Sequence, residues 1–201
     1  MPLSKPIGRR VFLLQSANLL GFTGLLLTSC NSASEGSTST QPRRTPVAKT
    51  MKIESTAFTE DGMIPSLYTC DGQDISPELH WDAPPTGTQS LALIVDDPDA
   101  PGEIFVHWVL YDLPPEIHQL PKAIAPQADL PGGGVQGKND FGNLGYGGPC
   151  PPNGIHRYFF KLYALDRQLG LKSGATKAQL EAAMNGHILA AAELIGRYAR
   201  S

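Results

Sequence analysis

The run Asp96-Asp97-Pro98-Asp99-Ala100-Pro101 sets three carboxylates among two prolines, directly after the apolar segment Ser90–Val95. Acids cannot continue into a core, so they stand at a strand's exit, and prolines with fixed φ hold that exit still. His107 lies between Phe105 and Trp108 in a second apolar run. Alone, a histidine there reads as a satisfied core residue or a pocket wall. The third segment, residues 145–158, packs four glycines and three prolines before His156-Arg157-Tyr158. Prolines stiffen such a loop and glycines leave its amides open to close approach. Together the segments supply two imidazoles, several carboxylates including Asp97 and Asp99, and a set of loop amides. Amides in Gly-rich turns form anion-holding concavities, and a protonated imidazole adds donors. A carboxylate beside a histidine fixes its tautomer and favours its charged form. The chemistry expected is capture of a small anion, phosphate or carboxylate, against an aromatic wall. The same groups could also serve as general acid and base in hydrolysis of a small ester or phosphoester. No G-x-S-x-G elbow, P-loop, HExxH or CxxC occurs, so no catalytic residue, metal or cofactor is assigned.

The elements that must position these groups are mostly strands. Met51–Phe58 alternates like an opening strand, Leu79–Trp81 is a short apolar piece, and Ser90–Val95 is a continuous run of buried-strand type. Phe105–Tyr111 and Arg157–Leu165 are rich in aromatic and β-branched residues and read as strands. Residues 113–155 are too rich in Pro and Gly for regular helix, and so long an irregular region in a compact domain points to function. A helix is expected near the C-terminus. Thr176-Lys-Ala-Gln179 fits a capping box. Leu180, Met184, His187, Ile188, Ala191, Ile195 and Tyr198 then recur at helical spacing, which places His187 on a core-facing stripe. The fold class is mainly β, a largely antiparallel sheet structure with a C-terminal α-helix packed on it.

Residues 1–29 read as a signal peptide: Lys5, Arg9 and Arg10 precede an apolar stretch, Val11–Leu27, interrupted by Gln15, Ser16 and Asn18. Leu27-Thr28-Ser29-Cys30 resembles a lipobox, which makes Cys30 the candidate lipidated residue, and Arg9-Arg10 resembles a twin-arginine export signal. Residues 30–50, dominated by Ser, Thr and Pro, read as a flexible tether, leaving 51–201 as one domain. Loss of the three N-terminal positive charges takes the formal net charge from −3 to −6. A mildly acidic domain without a Lys/Arg cluster argues against a nucleic-acid partner. The expected location is the cell envelope, outside the cytoplasmic membrane, on a lipid anchor. Export places the remaining cysteines, Cys70 and Cys150, where pairing is favoured. The rival reading is a catalytic thiol at Cys150 near His156.

Asp97-Pro-Asp-Ala-Pro101, His107-Trp108, Gly148-Pro-Cys-Pro-Pro152 and His156-Arg-Tyr158 resemble the motifs of the phosphatidylethanolamine-binding protein (PEBP) family. Cys70-Asp-Gly-Gln-Asp-Ile-Ser-Pro77 and Ala183-Met-Asn-Gly-His-Ile-Leu189 resemble its bacterial YbhB/YbcL branch, also called Raf kinase inhibitor-like. The resemblance covers nearly all of 51–201 in the same order. It implies a compact sandwich of antiparallel β-sheets with a C-terminal helix and a small anion pocket that accepts phosphate-like groups, including the phosphoethanolamine headgroup. By motif, Asp97, Phe105, His107, His156 and Tyr158 would line that pocket, beside Asp99, with Gly148, Pro149, Pro151 and Pro152 as rim. It also makes Ser76–Pro77 a candidate cis peptide. Only Gly102-Glu103-Ile104 separates the Asp-Pro loop from Phe105, a shorter rim than in animal members. The expected function is a membrane-tethered binding protein for a small anion or phospholipid headgroup. The alternatives are the hydrolase above and an inhibitor of an envelope enzyme that binds a protein partner through the 113–155 loops.

Overall fold

The computed structural model describes residues 51–200. The signal segment, Cys30 and the 30–50 tether lie outside the described residues. The strands are β1 (Ile53–Glu54), β2 (Gly62–Met63), β3 (Leu79–Trp81), β4 (Ser90–Asp97), β5 (Phe105–Leu113), β6 (Gln119–Leu120), β7 (Val135–Gln136), β8 (His156–Leu165) and β9 (Ile188–Tyr198), with α1 (Lys177–Met184) between the last two. They form a six-stranded sheet in the order β2-β9-β8-β4-β5-β7 and a three-stranded sheet in the order β1-β3-β6. Neighbours are antiparallel except β2 and β9, which run parallel through Gly62 opposite Gly196. That pair departs from a wholly antiparallel sandwich.

All eight residues of β4 are buried, which explains its unbroken apolar run. Leu91, Leu93 and Val95 join Trp108, Phe160 and Leu162 in a core that extends to Ile53, Leu79 and Leu120 of the small sheet. Ala92 and Ile94 point the other way, toward Leu180 and Met184 of α1. The large sheet is therefore covered on both faces. Asp96 follows on the α1 side, fully buried, and receives Lys161 Nζ at 2.8 Å and Lys177 Nζ at 2.6 Å. Lys177 is the first residue of α1, so this carboxylate ties the helix to the sheet.

Met51–Phe58 is a strand only over Ile53–Glu54. The Ser55 hydroxyl donates to Glu78 O and accepts the Ala57 amide, turning the chain out of the sheet. The C-terminal expectation needs a larger correction. The capping box at Thr176 and Gln179 is present, but the helix ends at Met184 and residues 188–198 are a strand. Asn185-Gly186 breaks the helix, with Gly186 at φ +79°. Beyond it, Ala190, Ala192, Leu194, Gly196 and Tyr198 are buried while Ala191, Glu193 and Arg197 are exposed, a period of two. Pairing along the length of β8 satisfies the β9 backbone, and that outweighs a helical stripe built largely on alanines. His187 consequently sits at the strand's entry, half-exposed, with Nδ1 2.9 Å from Asp166 Oδ1, rather than in the core. The Ser76–Pro77 bond is trans, as are all peptide bonds among the described residues. Trans is the lower-energy isomer for X–Pro, and in it Ser76 accepts the Ala123 amide at its carbonyl and the Ile124 amide at its hydroxyl. Among the described residues no helix is long and apolar enough to cross a membrane.

Candidate functional site

Three strand ends converge at one end of the large sheet: the end of β4 and the starts of β5 and β8. Asp97 faces away from α1, opposite to Asp96, because successive side chains alternate. Its Oδ2 accepts from His156 Nδ1 at 2.7 Å, and its Oδ1 accepts the Asp99 amide at 2.8 Å. Asp97 and His156 are 3% and 6% exposed. A carboxylate only accepts, so His156 carries its proton on Nδ1 toward Asp97 and keeps Nε2 free for other partners.

His107 owes its direction to a β-bulge. Val95 pairs with Trp108 and Asp96 with Val106, so His107 is the unpaired extra residue of β5. A bulge bends its strand and re-aims the side chain. The His107 ring consequently packs edge-on to Tyr158 at 5.1 Å, and its Nδ1 donates to Gly147 O at 2.7 Å. The Gly147 amide in turn donates to His107 O at 2.9 Å, and Asp140 is bonded both ways to Val106, so the 139–147 loop is sewn to β5. Burial holds His107 below the ordinary imidazole value, offset in part by the Gly147 bond and the charge of Asp97. His107 is thus neutral near pH 7 with a free Nε2, which differs from the charged imidazole expected from its residue type and neighbours.

Asp97, His107 and His156 line a cavity of about 280 Å³ with Ala100, Pro101, Phe105, Phe141, Cys150, Pro151 and Pro152. No lysine or arginine lines it. Phe141, 45% exposed, was not singled out from sequence; its ring lies 4.8 Å from Phe105 and 5.5 Å from His107. A Cβ on Gly147 would approach that ring to 2.5 Å, so the glycine is what admits the aromatic wall. An Asn-Asp-Phe-Gly turn signal at 139–142 was the available clue.

Other expected site residues stand outside the lining. Gly148 donates its amide to Asp74 Oδ1 at 2.6 Å, behind the rim, where a Cβ would meet Tyr68 O. Pro149 O accepts the Cys70 amide. With Gly147 and Gly148 engaged and prolines on both sides, Cys150 carries the single amide in 149–152. Tyr158 backs His107; burial raises its pKa, and its hydroxyl is buried without a hydrogen-bond partner. Asp99 faces a neighbouring cleft, where it accepts from Arg157 N, Nε and Nη2 at 3.0, 2.8 and 2.7 Å. Cys70 and Cys150 form a disulfide, Cα–Cα 5.4 Å, which removes the thiol reading and braces the rim from outside.

A second cavity, about 400 Å³, lies toward the opposite end of β5 among Leu113, Ile117, Leu120, Ile124, Leu130 and Pro131. It is larger and mostly apolar, with Gln119 and Gln127 but no ionisable side chain in its lining. Among the described residues no three His, Cys, Asp or Glu side chains converge as a metal-ligand group.

Residues 54–199 match the family model described as phosphatidylethanolamine-binding protein. A UPF0098 protein of Methanothermobacter thermautotrophicus is 53% identical over 150 residues, covering 75% of this chain and 99% of the relative. One from Chlamydia muridarum is 44% identical, covering 74% and 98%. The crystal structure of a putative PEBP homologue from Chlamydia trachomatis superposes with TM-score 0.70 at 41% identity, covering 76% of this chain and 99% of that one. E. coli YbcL superposes with TM-score 0.70 at 34% identity, covering 75% and 99%. A cavity framed by Asp97, His107 and His156 in a domain matched from end to end leads to one conclusion: the chain belongs to the phosphatidylethanolamine-binding protein family.

Proposed function

We propose that this protein is a non-catalytic binding protein whose cavity takes a small phosphate-like anion, free or as a phospholipid headgroup, while Cys30 tethers it to a membrane of the cell envelope. One observation carries the reading. Two buried imidazoles, each with Nδ1 committed to the protein, keep a free Nε2 in one cavity of about 280 Å³ walled by Phe105 and Phe141. A neutral imidazole meets phosphate by accepting from a protonated oxygen or by taking up a proton itself. Binding therefore strengthens as pH falls toward 6.

The test is thermal unfolding with phosphate, phosphoethanolamine and acetate, for the wild type, His107→Ala and His156→Ala. Native-state binding at a hundredfold excess over Kd adds about 2.7 kcal/mol. A phosphate-dependent shift that both substitutions abolish supports the reading; unchanged shifts in both folded variants sink it.

The Asp97–His156 bond favours a second reading, hydrolysis of a small ester or phosphoester with His156 Nε2 as general base on water. Turnover of 4-nitrophenyl acetate or 4-nitrophenyl phosphate that disappears in His156→Ala would establish it. Its absence leaves the binding role.

A further inference from the structure

Beside the cavity lies an open cleft of about 580 Å³ lined by Asp99, Asn153, Gly154, Ile155, His156, Arg157 and Arg197. The two loops that frame the cavity also frame the cleft. Ala100 and Pro101 face the cavity and Asp99 the cleft; Pro151 and Pro152 face the cavity, and Asn153 to Ile155 the cleft. His156 lines both, so the cavity and the cleft adjoin at that residue.

Arg157 and Arg197 are direct cross-strand partners on β8 and β9. Like charges set opposite each other in an antiparallel pair are destabilising. Each is compensated on one side only. Arg157 spends Nε and Nη2 on Asp99, and Arg197 spends Nε and Nη2 on Asp61 at 3.2 and 2.8 Å. Asp99 accepts three hydrogen bonds in return, and the arginine holds its carboxyl at about 2, so it stays ionised and occupied. Within the cleft lining both Asp99 oxygens are engaged, while each guanidinium keeps its Nη1 hydrogens. The cleft thus offers donors.

Resting on the phosphate reading of the cavity, we infer that the cleft is a second subsite for an anionic group carried by the same ligand, so that the preferred ligand is a phosphate with a pendant carboxylate rather than an amine alone. O-phosphoserine and phosphoethanolamine differ by that carboxylate only. Both side chains are about half exposed, at 48% and 44%. Exposed ion pairs of this kind contribute up to roughly fivefold in affinity, and salt screens them.

The experiment is calorimetric titration of the 51–201 domain, or of the full chain where that domain does not fold alone, with phosphate, phosphoethanolamine and O-phosphoserine. It is run on the wild type, Arg197→Gln and Asn153→Asp, at low and at 0.5 M salt. The expected result is O-phosphoserine binding about three- to fivefold tighter than phosphoethanolamine in the wild type. The preference disappears in Arg197→Gln and in high salt and shrinks in Asn153→Asp, while phosphate affinity is unchanged throughout. Equal affinities in a wild type that binds phosphate overturn the subsite and leave the cavity reading standing. Failure of phosphate itself to bind overturns both. Glycerophosphoserine against O-phosphoserine then separates a lipid headgroup, which is a diester, from a free monoester.

Discussion

Asp96 and Asp97 are consecutive residues of one strand, both buried, both paired with a basic side chain, and they do different things. Asp96 faces α1 and lies between Lys161 and Lys177, engaged by both ammonium groups and lining none of the cavities described above. Asp97 faces the other way, aligns His156 and forms part of a cavity wall. The difference is the period of the strand: alternate side chains enter different compartments. A buried carboxylate is thus not evidence for a site until the space next to it is known.

The disulfide gives the largest test of that asymmetry, because it braces only the Asp97 side. Closing an 80-residue separation contributes about 4.5 kcal/mol in the chain-entropy model. Urea unfolding of Cys70→Ala/Cys150→Ala is expected to show that loss. Hydrogen exchange should quicken at residues 147–152 and not in α1. Equal quickening in both regions would mean that the two sides are not independent.

Asp96→Asn leaves Lys161 without its counter-charge and Lys177 with only the exposed Glu181 at 3.7 Å, and is expected to cost about 3 kcal/mol. Phosphate affinity per folded molecule should not change. Asp97→Asn is expected to show the reverse weighting. It costs about 1.5 kcal/mol in stability for the weakened charged hydrogen bond, with phosphate bound about tenfold more weakly as His156 loses its fixed tautomer. Denaturation paired with titration on both variants checks this, and a larger stability loss in Asp97→Asn would invert the comparison.

The pH dependence sharpens it further. His107 is held below its ordinary value by burial, so its neutral form is favoured in the native state. Its contribution is complete above the unfolded value near 6.5 and is lost as pH falls through the lowered native value. His107→Asn keeps a donor for Gly147 O and is expected to flatten the decline of stability below about pH 6.5. A decline of unchanged slope would assign the acid sensitivity elsewhere.

The smallest effect belongs to the exposed clamp. Arg157→Ala should change stability least of the variants here, because exposed ion pairs contribute little. The Asp99 carboxyl sits at about 2 instead of 3.8, so its contribution is present above pH 3.8 and lost as pH falls toward 2. Acid titration of the variant, followed by circular dichroism, should lack that last step.

Much of the frame was legible in the chain. Ser90–Val95, Phe105–Tyr111 and Arg157–Leu165 each carry enough apolar or aromatic residues to specify a buried strand by themselves, and all three are strands. The C-terminal strand was not legible, because Ala190, Ala191 and Ala192 suit either period and only the ladder with β8 selects one. Phe141 was missed because its role depends on Gly147 from another turn of the same loop. Asp99 shares the Asp-Pro run with Asp97 and so reads as part of the pocket; the hydrogen bond its amide donates to Asp97 Oδ1 turns it outward to Arg157.

By itself the sequence determined the strand-forming segments, the acid and histidine positions, and the family motifs that order them, since these follow from residue type and local spacing. Tertiary structure decided the rest. A bulge aims His107, the 80-residue separation between Cys70 and Cys150 closes in a bond, and neighbouring carboxylates part company across a sheet. Direction and burial arise from contacts between residues far apart in the chain, and no local pattern encodes them.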